Sequence, residues 1–128
     1  MRLLLDTHVL LWACADPGRI PGPTRVLLED GGNDLVWSVV GTLELAIKAG
    51  AGKLKVPGTL ESFLEEQRRE MGLEILPLEN RHALALASLP DLHRDPFDRL
   101  LVAQALVEGV ALLSSDAFLR RYGVDVIW

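Results

Sequence analysis

Short apolar runs recur along this chain. Leu3-Leu4-Leu5, Leu35-Val36-Trp37 and residues 110–113 are unbroken, and residues 73–76 and 124–127 each contain a single acid. An unbroken run of three or four apolar residues is what a strand buried on both faces needs, whereas a half-exposed strand would alternate. Helix-length stretches separate the runs, and parallel strands need crossovers of about that length. The pattern therefore predicts an α/β fold with a parallel sheet of about five strands, covered by helices on both faces.

Helix boundaries follow from capping chemistry. Thr7 is expected to cap a first helix that stops near Asp16-Pro17-Gly18, and Pro23-Thr24 opens a short one ending at Asp30-Gly31-Gly32. Residues 39–49 form an apolar, helix-spaced stretch closed by Gly50 and Gly52. Thr59 or Ser62 starts a helix that ends at Met71-Gly72, and residues 79–88 form another. In Asp95-Pro96-Phe97-Asp98, Asp95 is the N-cap and Pro96 the first helical residue of a helix ending at Gly109. Ser114-Ser115-Asp116 starts a short last helix. No repeat or linker divides residues 1–128, which are expected to form one domain.

Composition narrows the function. A net charge of −5 argues against a broad basic face for nucleic acid. It leaves room for an acidic active site. One cysteine, Cys14, excludes an intrachain disulfide framework and fits a reducing cytoplasm. The N-terminal apolar stretch resembles a secretory signal, but Asp6 and His8 interrupt it, and no run approaches the roughly 18 residues of a membrane helix. A mean hydropathy of +0.23 in so small a chain suggests apolar surface covered by a partner.

In open parallel sheets, reactive groups gather at the carboxyl ends of strands, near the point where strand order reverses. Asp6 and Asp116 both follow buried runs, Asp98 lies in the first turn of a helix starting at the same edge, and Glu44 sits mid-helix among Leu43, Ala46, Ile47 and Ala49. Each has an ordinary structural alternative. Asp6 and Asp116 serve equally well as helix caps, Asp98 as a favourable charge at a helix start, and Glu44 as the partner of Lys48. The set of four is harder to explain that way. Carboxylates about 4 Å apart repel by roughly 1 kcal/mol in water and about 4 at an effective dielectric of 20, so a cluster calls for a cation. Oxygen ligands without a nearby cysteine favour Mg²⁺ or Mn²⁺ over zinc, and such a site suits phosphodiester hydrolysis.

Other features carry less. Gly50-Ala51-Gly52-Lys53 lacks the Ser or Thr of a P-loop, since Leu54 follows. His8, His82 and His93 show no metal-ligand spacing. Ser114 and Ser115 lack a nucleophile elbow. Trp12, Trp37 and Phe97 are expected in the core, which leaves no aromatic code for an RNA site.

These motifs together resemble the PIN-domain ribonucleases, and among them the VapC-type toxins. Leu4-Leu5-Asp6-Thr7-His8, Glu44-Leu45-Ala46-Ile47-Lys48, Asp95-Pro96-Phe97-Asp98-Arg99 with Leu101-Val102-Ala103-Gln104-Ala105, and Leu112-Leu113-Ser114-Ser115-Asp116 are similar to the family's four motifs. The resemblance implies a three-layer α/β/α sandwich and a quartet of Asp6, Glu44, Asp98 and Asp116 around one or two Mg²⁺ or Mn²⁺ ions. It implies endoribonuclease activity, a homodimer and a cognate antitoxin. Ser114 and Thr7 are auxiliary candidates, and Lys48, Arg94 and Arg99 are candidate contacts to RNA phosphates. Gly41 and Leu43 depart from the family, where Ser and Trp are common, and Gly41 costs a helix up to about 1 kcal/mol relative to Ala. Two rival readings are a PIN fold that binds partners without cleaving and a receiver-like phosphoacceptor domain. The second wants an acidic pair after the first strand, where this chain has one acid.

Overall fold

The computed structural model describes residues 1–128. Strands β1 (Arg2–Leu5), β2 (Asp34–Ser38), β3 (Glu74–Leu76), β4 (Ala111–Leu113) and β5 (Val126–Ile127) form one parallel sheet in the order β3-β2-β1-β4-β5. Helices α1 (Thr7–Ala15), α2 (Gly22–Glu29), α3 (Val39–Gly50), α4 (Leu60–Met71), α5 (Asn80–Leu86) and α6 (Pro96–Glu108) connect them, with 3-10 turns at Pro17–Arg19 and Ala117–Tyr122. The result is the three-layer α/β/α sandwich.

Period-2 alternation divides each apolar run between two cores. Leu4, Val36, Leu112 and Val126 enter one, with Val40, Leu101, Val102 and Ala105. Leu3, Leu5, Leu35, Trp37 and Leu113 enter the other, with Val9, Leu10 and Leu45. Both faces of the sheet are thus covered at its centre, which is why the runs of β2, β1 and β4 are unbroken while those of the edge strands β3 and β5 admit an acid.

From β1 the chain builds outward through β2 and β3, then returns to place β4 on the opposite side of β1. Strand order reverses there. Leu5 pairs with Leu113, so the carboxyl ends of β1 and β4 lie side by side and open the crevice typical of such sheets.

Three local expectations are corrected. Thr7 does not cap α1. It is the first helical residue, its buried Oγ1 has no partner, and Asp6 holds the cap position without a side-chain cap bond. The Asp6 amide extends the ladder to the Leu113 carbonyl at 2.9 Å, so the chain pivots from sheet to helix within that one residue. Second, the apolar residues of α3 do not surround Glu44 in a core: Leu43 and Ile47 are exposed while Glu44 and Leu45 are buried. Third, Trp12 is half-buried and joins neither core, whereas Trp37 is buried and Phe97 packs against one core's margin.

The structure accounts for Gly41. A Cβ there would lie 2.6 Å from Cζ2 of Trp37. The indole has no room to retreat, because it is buried and its Nε1 donates to Thr42 Oγ1 at 2.9 Å. A large residue at 37 requires none at 41.

Candidate active site

Asp6 and Ser114 meet at the reversal point. Ser114 Oγ donates to Asp6 Oδ2 at 2.6 Å and accepts the Asp116 amide at 3.1 Å, so one buried hydroxyl ties the end of β1 to the loop after β4. The second Asp6 oxygen, Oδ1, is buried without a hydrogen-bond partner, and His8 Nδ1 stands 3.9 Å away. Burial raises the Asp6 pKa; the Ser114 bond and His8 oppose this, and Glu44 adds to it.

Glu44 arrives from α3. That helix is fixed at its start by Ser38, whose Oγ accepts the Val40 amide at 2.9 Å and donates to Gln104 Oε1 on α6. Glu44 is 1% exposed. Its Oε2 pairs with Lys48 Nζ, and its Oε1 is a buried oxygen without a partner. The Lys48 pKa is raised, first by the Glu44 hydrogen bond and further by the charges of Asp95 and Asp98. The lysine head therefore sits within the field of Glu44, Asp95 and Asp98.

Asp98 comes from the first turn of α6, and capping does not explain it. Asp95 performs that task, accepting the amides of Phe97 at 2.9 Å and Asp98 at 3.4 Å. The Asp98 pKa is pushed up to about 7, chiefly by burial and then by the negative charges of Asp6, Asp95, Glu44 and Asp116. Asp116 does cap the last 3-10 turn, its Oδ1 accepting the Phe118 amide at 3.1 Å. Its Oδ2 is turned to His93, whose Nε2 is 3.4 Å from it and 3.5 Å from Asp98 Oδ2.

His93 is the residue that sequence reasoning dismissed. A spacing test looks for ligands on one helix, and this histidine enters the cluster from the loop before α6. Its Nδ1 accepts the Asp95 amide at 3.0 Å, so the neutral ring carries its proton on Nε2, aimed at the carboxylates. In that tautomer it is a donor, not a metal ligand. His93, Asp98 and Asp116 bring their polar atoms within 4.8 Å of one another.

The acids suit a hard cation. Asp6 and Glu44 each present a buried oxygen that no protein donor satisfies, and unsatisfied buried oxygens are costly unless an ion or water takes them up. Oxygen donors favour Mg²⁺-like ions. Around the cluster, Arg94 is exposed. Arg99 turns inward, with Nη2 3.5 Å from the Leu89 carbonyl and Nε buried without a partner.

A parallel sheet in this order, with carboxylates gathered at its reversal point, defines an acid-cluster α/β protein, and residues 3–125 match the family model for the PIN domain. The chain belongs to the PIN-domain family. It is 32% identical over 124 residues to Ribonuclease VapC22 of Mycobacterium tuberculosis, covering 94% of this chain and 91% of that one. Among solved structures it resembles VapBC2 from Rickettsia felis bound to a promoter DNA fragment (TM-score 0.74, 19% identity, 99% and 98% of the chains). DNA-bound VapBC from Salmonella typhimurium gives a TM-score of 0.72 at 18% identity, over 99% and 97% of the chains. At those identities the likeness is one of fold.

Proposed function

We propose that this protein is a metal-dependent endoribonuclease and the toxin of a toxin–antitoxin pair, with residues 1–128 as a single PIN-like domain acting in the cytoplasm. The carrying observation is the pair of unpartnered buried oxygens on Asp6 and Glu44 beside an Asp98 whose pKa is pushed up to about 7. Such a cluster stores repulsion that a cation relieves. The similarity to a ribonuclease over 94% of this chain and 91% of that one supports RNA as the substrate.

In this reading Asp6, Glu44, Asp98 and Asp116 hold one or two Mg²⁺ or Mn²⁺ ions. When bound there, such an ion would supply a water of lowered pKa and offset charge on the phosphodiester. The chain's own residues do the rest. Ser114 fixes the Asp6 carboxylate, and Thr7 begins α1 immediately after it. Lys48 spans Glu44 and solvent, and it and Arg94 meet backbone phosphates. Arg99 steadies the base of the loop at Leu89. His93 offers its Nε2 proton to a phosphate oxygen once the carboxylates are engaged.

The partner reading rests on exposed apolar surface. Val39, Leu43 and Ile47 form a stripe along α3, and no helix is long and apolar enough to cross a membrane. A homodimer and an antitoxin would cover such surface, and the VapBC neighbours are complexes of this kind. Incubating the purified protein with end-labelled RNA in Mg²⁺ or Mn²⁺, and in chelator, tests the activity. Cleavage that requires the metal and disappears in Asp98→Asn is expected. Metal-independent cleavage, or cleavage retained by that variant, overturns the reading.

A further inference from the structure

The side chain that escaped the core lies on a path leading away from the acids. His8, one helical turn before Trp12, has its ring centroid 5.7 Å from the Trp12 ring at a 38° tilt. The Trp128 ring also stands 5.7 Å from the Trp12 ring, tilted by 53°. The Arg19 guanidinium is held 4.6 Å over the Trp12 ring. His8 is 53% exposed, and both tryptophans are half-buried.

One end of this path touches the site, and the other is tied to it through the backbone. His8 Nδ1 is 3.9 Å from Asp6 Oδ1. Trp128 follows β5, whose Ile127 pairs with Leu113, and the Ile127 carbonyl accepts the amide of Ser114, the residue bonded to Asp6. His8 therefore stands against the Asp6–Ser114 pair, and the Trp12 and Trp128 rings continue the array from it.

We infer that His8, Trp12 and Trp128, with Arg19, form a stacking subsite for the unpaired bases of a single-stranded RNA next to the bond being cut. The inference rests on the ribonuclease reading and deepens it. A chain of net charge −5 offers a polyanion no broad basic face, so contacts that need no charge add to the few phosphate contacts of Lys48 and Arg94. Base stacking on aromatic rings is such a contact, since every base presents a π-face and no charge is needed. Arg19 supplies one local cation held over a ring, where a neighbouring phosphate or base meets it. Duplex RNA, with its bases inside, has nothing to offer these rings.

Binding is measured on Asp98→Asn protein in Mg²⁺, so that substrate survives, with labelled single-stranded ten-nucleotide oligo-uridine and oligo-adenine and a ten-base-pair duplex. Anisotropy reports affinity, and intrinsic fluorescence reports the rings. Trp37 is 2% exposed, so a quench on adding RNA reports Trp12 and Trp128. The single strands are expected to quench emission, and Trp12→Leu to weaken their binding about tenfold, within the range of one lost base stack. Trp12→Phe should recover most of that loss while the duplex binds weakly throughout. RNA that binds without quenching, Trp12→Leu affinity within twofold of the parent, or no binding of any single strand overturns the inference. Unmodified protein that cleaves RNA irrespective of Trp12 leaves the ribonuclease reading standing without the subsite. Trp12-dependent binding with no cleavage by the unmodified protein does the reverse.

Discussion

Ser114 and Asp6, separated by 108 residues of sequence, share a buried hydrogen bond of 2.6 Å in which the hydroxyl donates and the carboxylate accepts. The same hydroxyl accepts the Asp116 amide, so one oxygen sets the positions of two of the four acids. Ser114→Ala is expected to destabilise the fold by about 1–2 kcal/mol, as a buried carboxylate oxygen and an amide lose their partner. RNA cleavage should fall about tenfold or more, and Ser114→Thr, which keeps the hydroxyl, should recover much of it. Denaturant unfolding alongside cleavage rates checks both.

Asp6→Asn and Asp98→Asn separate a metal site from a set of helix caps. Neither residue caps its helix through its side chain: α1 has no such bond, and Asp95 caps α6. Either change should abolish cleavage while leaving the metal-free protein as stable or more stable, by up to about 1 kcal/mol. Mg²⁺ at 100 times its dissociation constant should stabilise the unmodified protein by about 2.7 kcal/mol, and the variants should lose most of that shift. Thermal unfolding with and without the ion measures it.

The raised pKa of Asp98 predicts how metal-free stability depends on pH. Its carboxyl titrates near 3.8 when unfolded and at about 7 when folded, so between those values the native state holds the extra proton. Stability from this group is fully present below pH 4 and is lost as pH rises toward 7. The loss is on the order of 1–2 kcal/mol once solvent screening at a partly open site is allowed for. Melting of Asp98→Asn should lack that component. Metal must displace the same proton, so its affinity should increase between pH 6 and pH 8, as calorimetric titration would record.

Gln104 joins α3 to α6 beneath the acids. It accepts from the Ser38 hydroxyl and donates to the Pro77 carbonyl at 3.3 Å. Gln104→Leu would strand the buried Ser38 hydroxyl, with an expected loss of about 1–3 kcal/mol in urea unfolding. Because Ser38 starts the helix carrying Glu44, cleavage by the folded variant should fall as well.

Gly41→Ala gains up to about 1 kcal/mol of helix propensity but drives a methyl into the Trp37 ring, an overpacking penalty of about 1–3 kcal/mol. Net destabilisation is expected. Adding Trp37→Phe should reverse the sign of the Gly41→Ala effect, as a double-mutant cycle by thermal unfolding would reveal.

The strands and the acids were legible in the sequence because burial on two faces leaves an unmistakable apolar run, and because strand ends are where a reversed sheet gathers polar groups. Asp95 was legible as a cap because Pro96 follows it. The legible part stops where orientation about a helix matters. α1 is apolar on most sides, so nothing in its pattern told Trp12 from Val9 or Leu10. α3 turns Leu43 and Ile47 outward and Glu44 inward, against the usual amphipathic rule. His93 reaches Asp116 only through tertiary folding, and no spacing along the chain encodes that contact.

Placing β4 beside β1 also governs when the carboxylate cluster comes into being. Asp6 is synthesised 108 residues before Ser114 and 110 before Asp116. Local pieces such as α5 against α6 form without long-range closure, but β1 cannot meet β4 until the residues between them have emerged. A nascent or prematurely terminated polypeptide therefore carries single acids and no assembled cluster, so any hydrolytic power is withheld from fragments by topology alone.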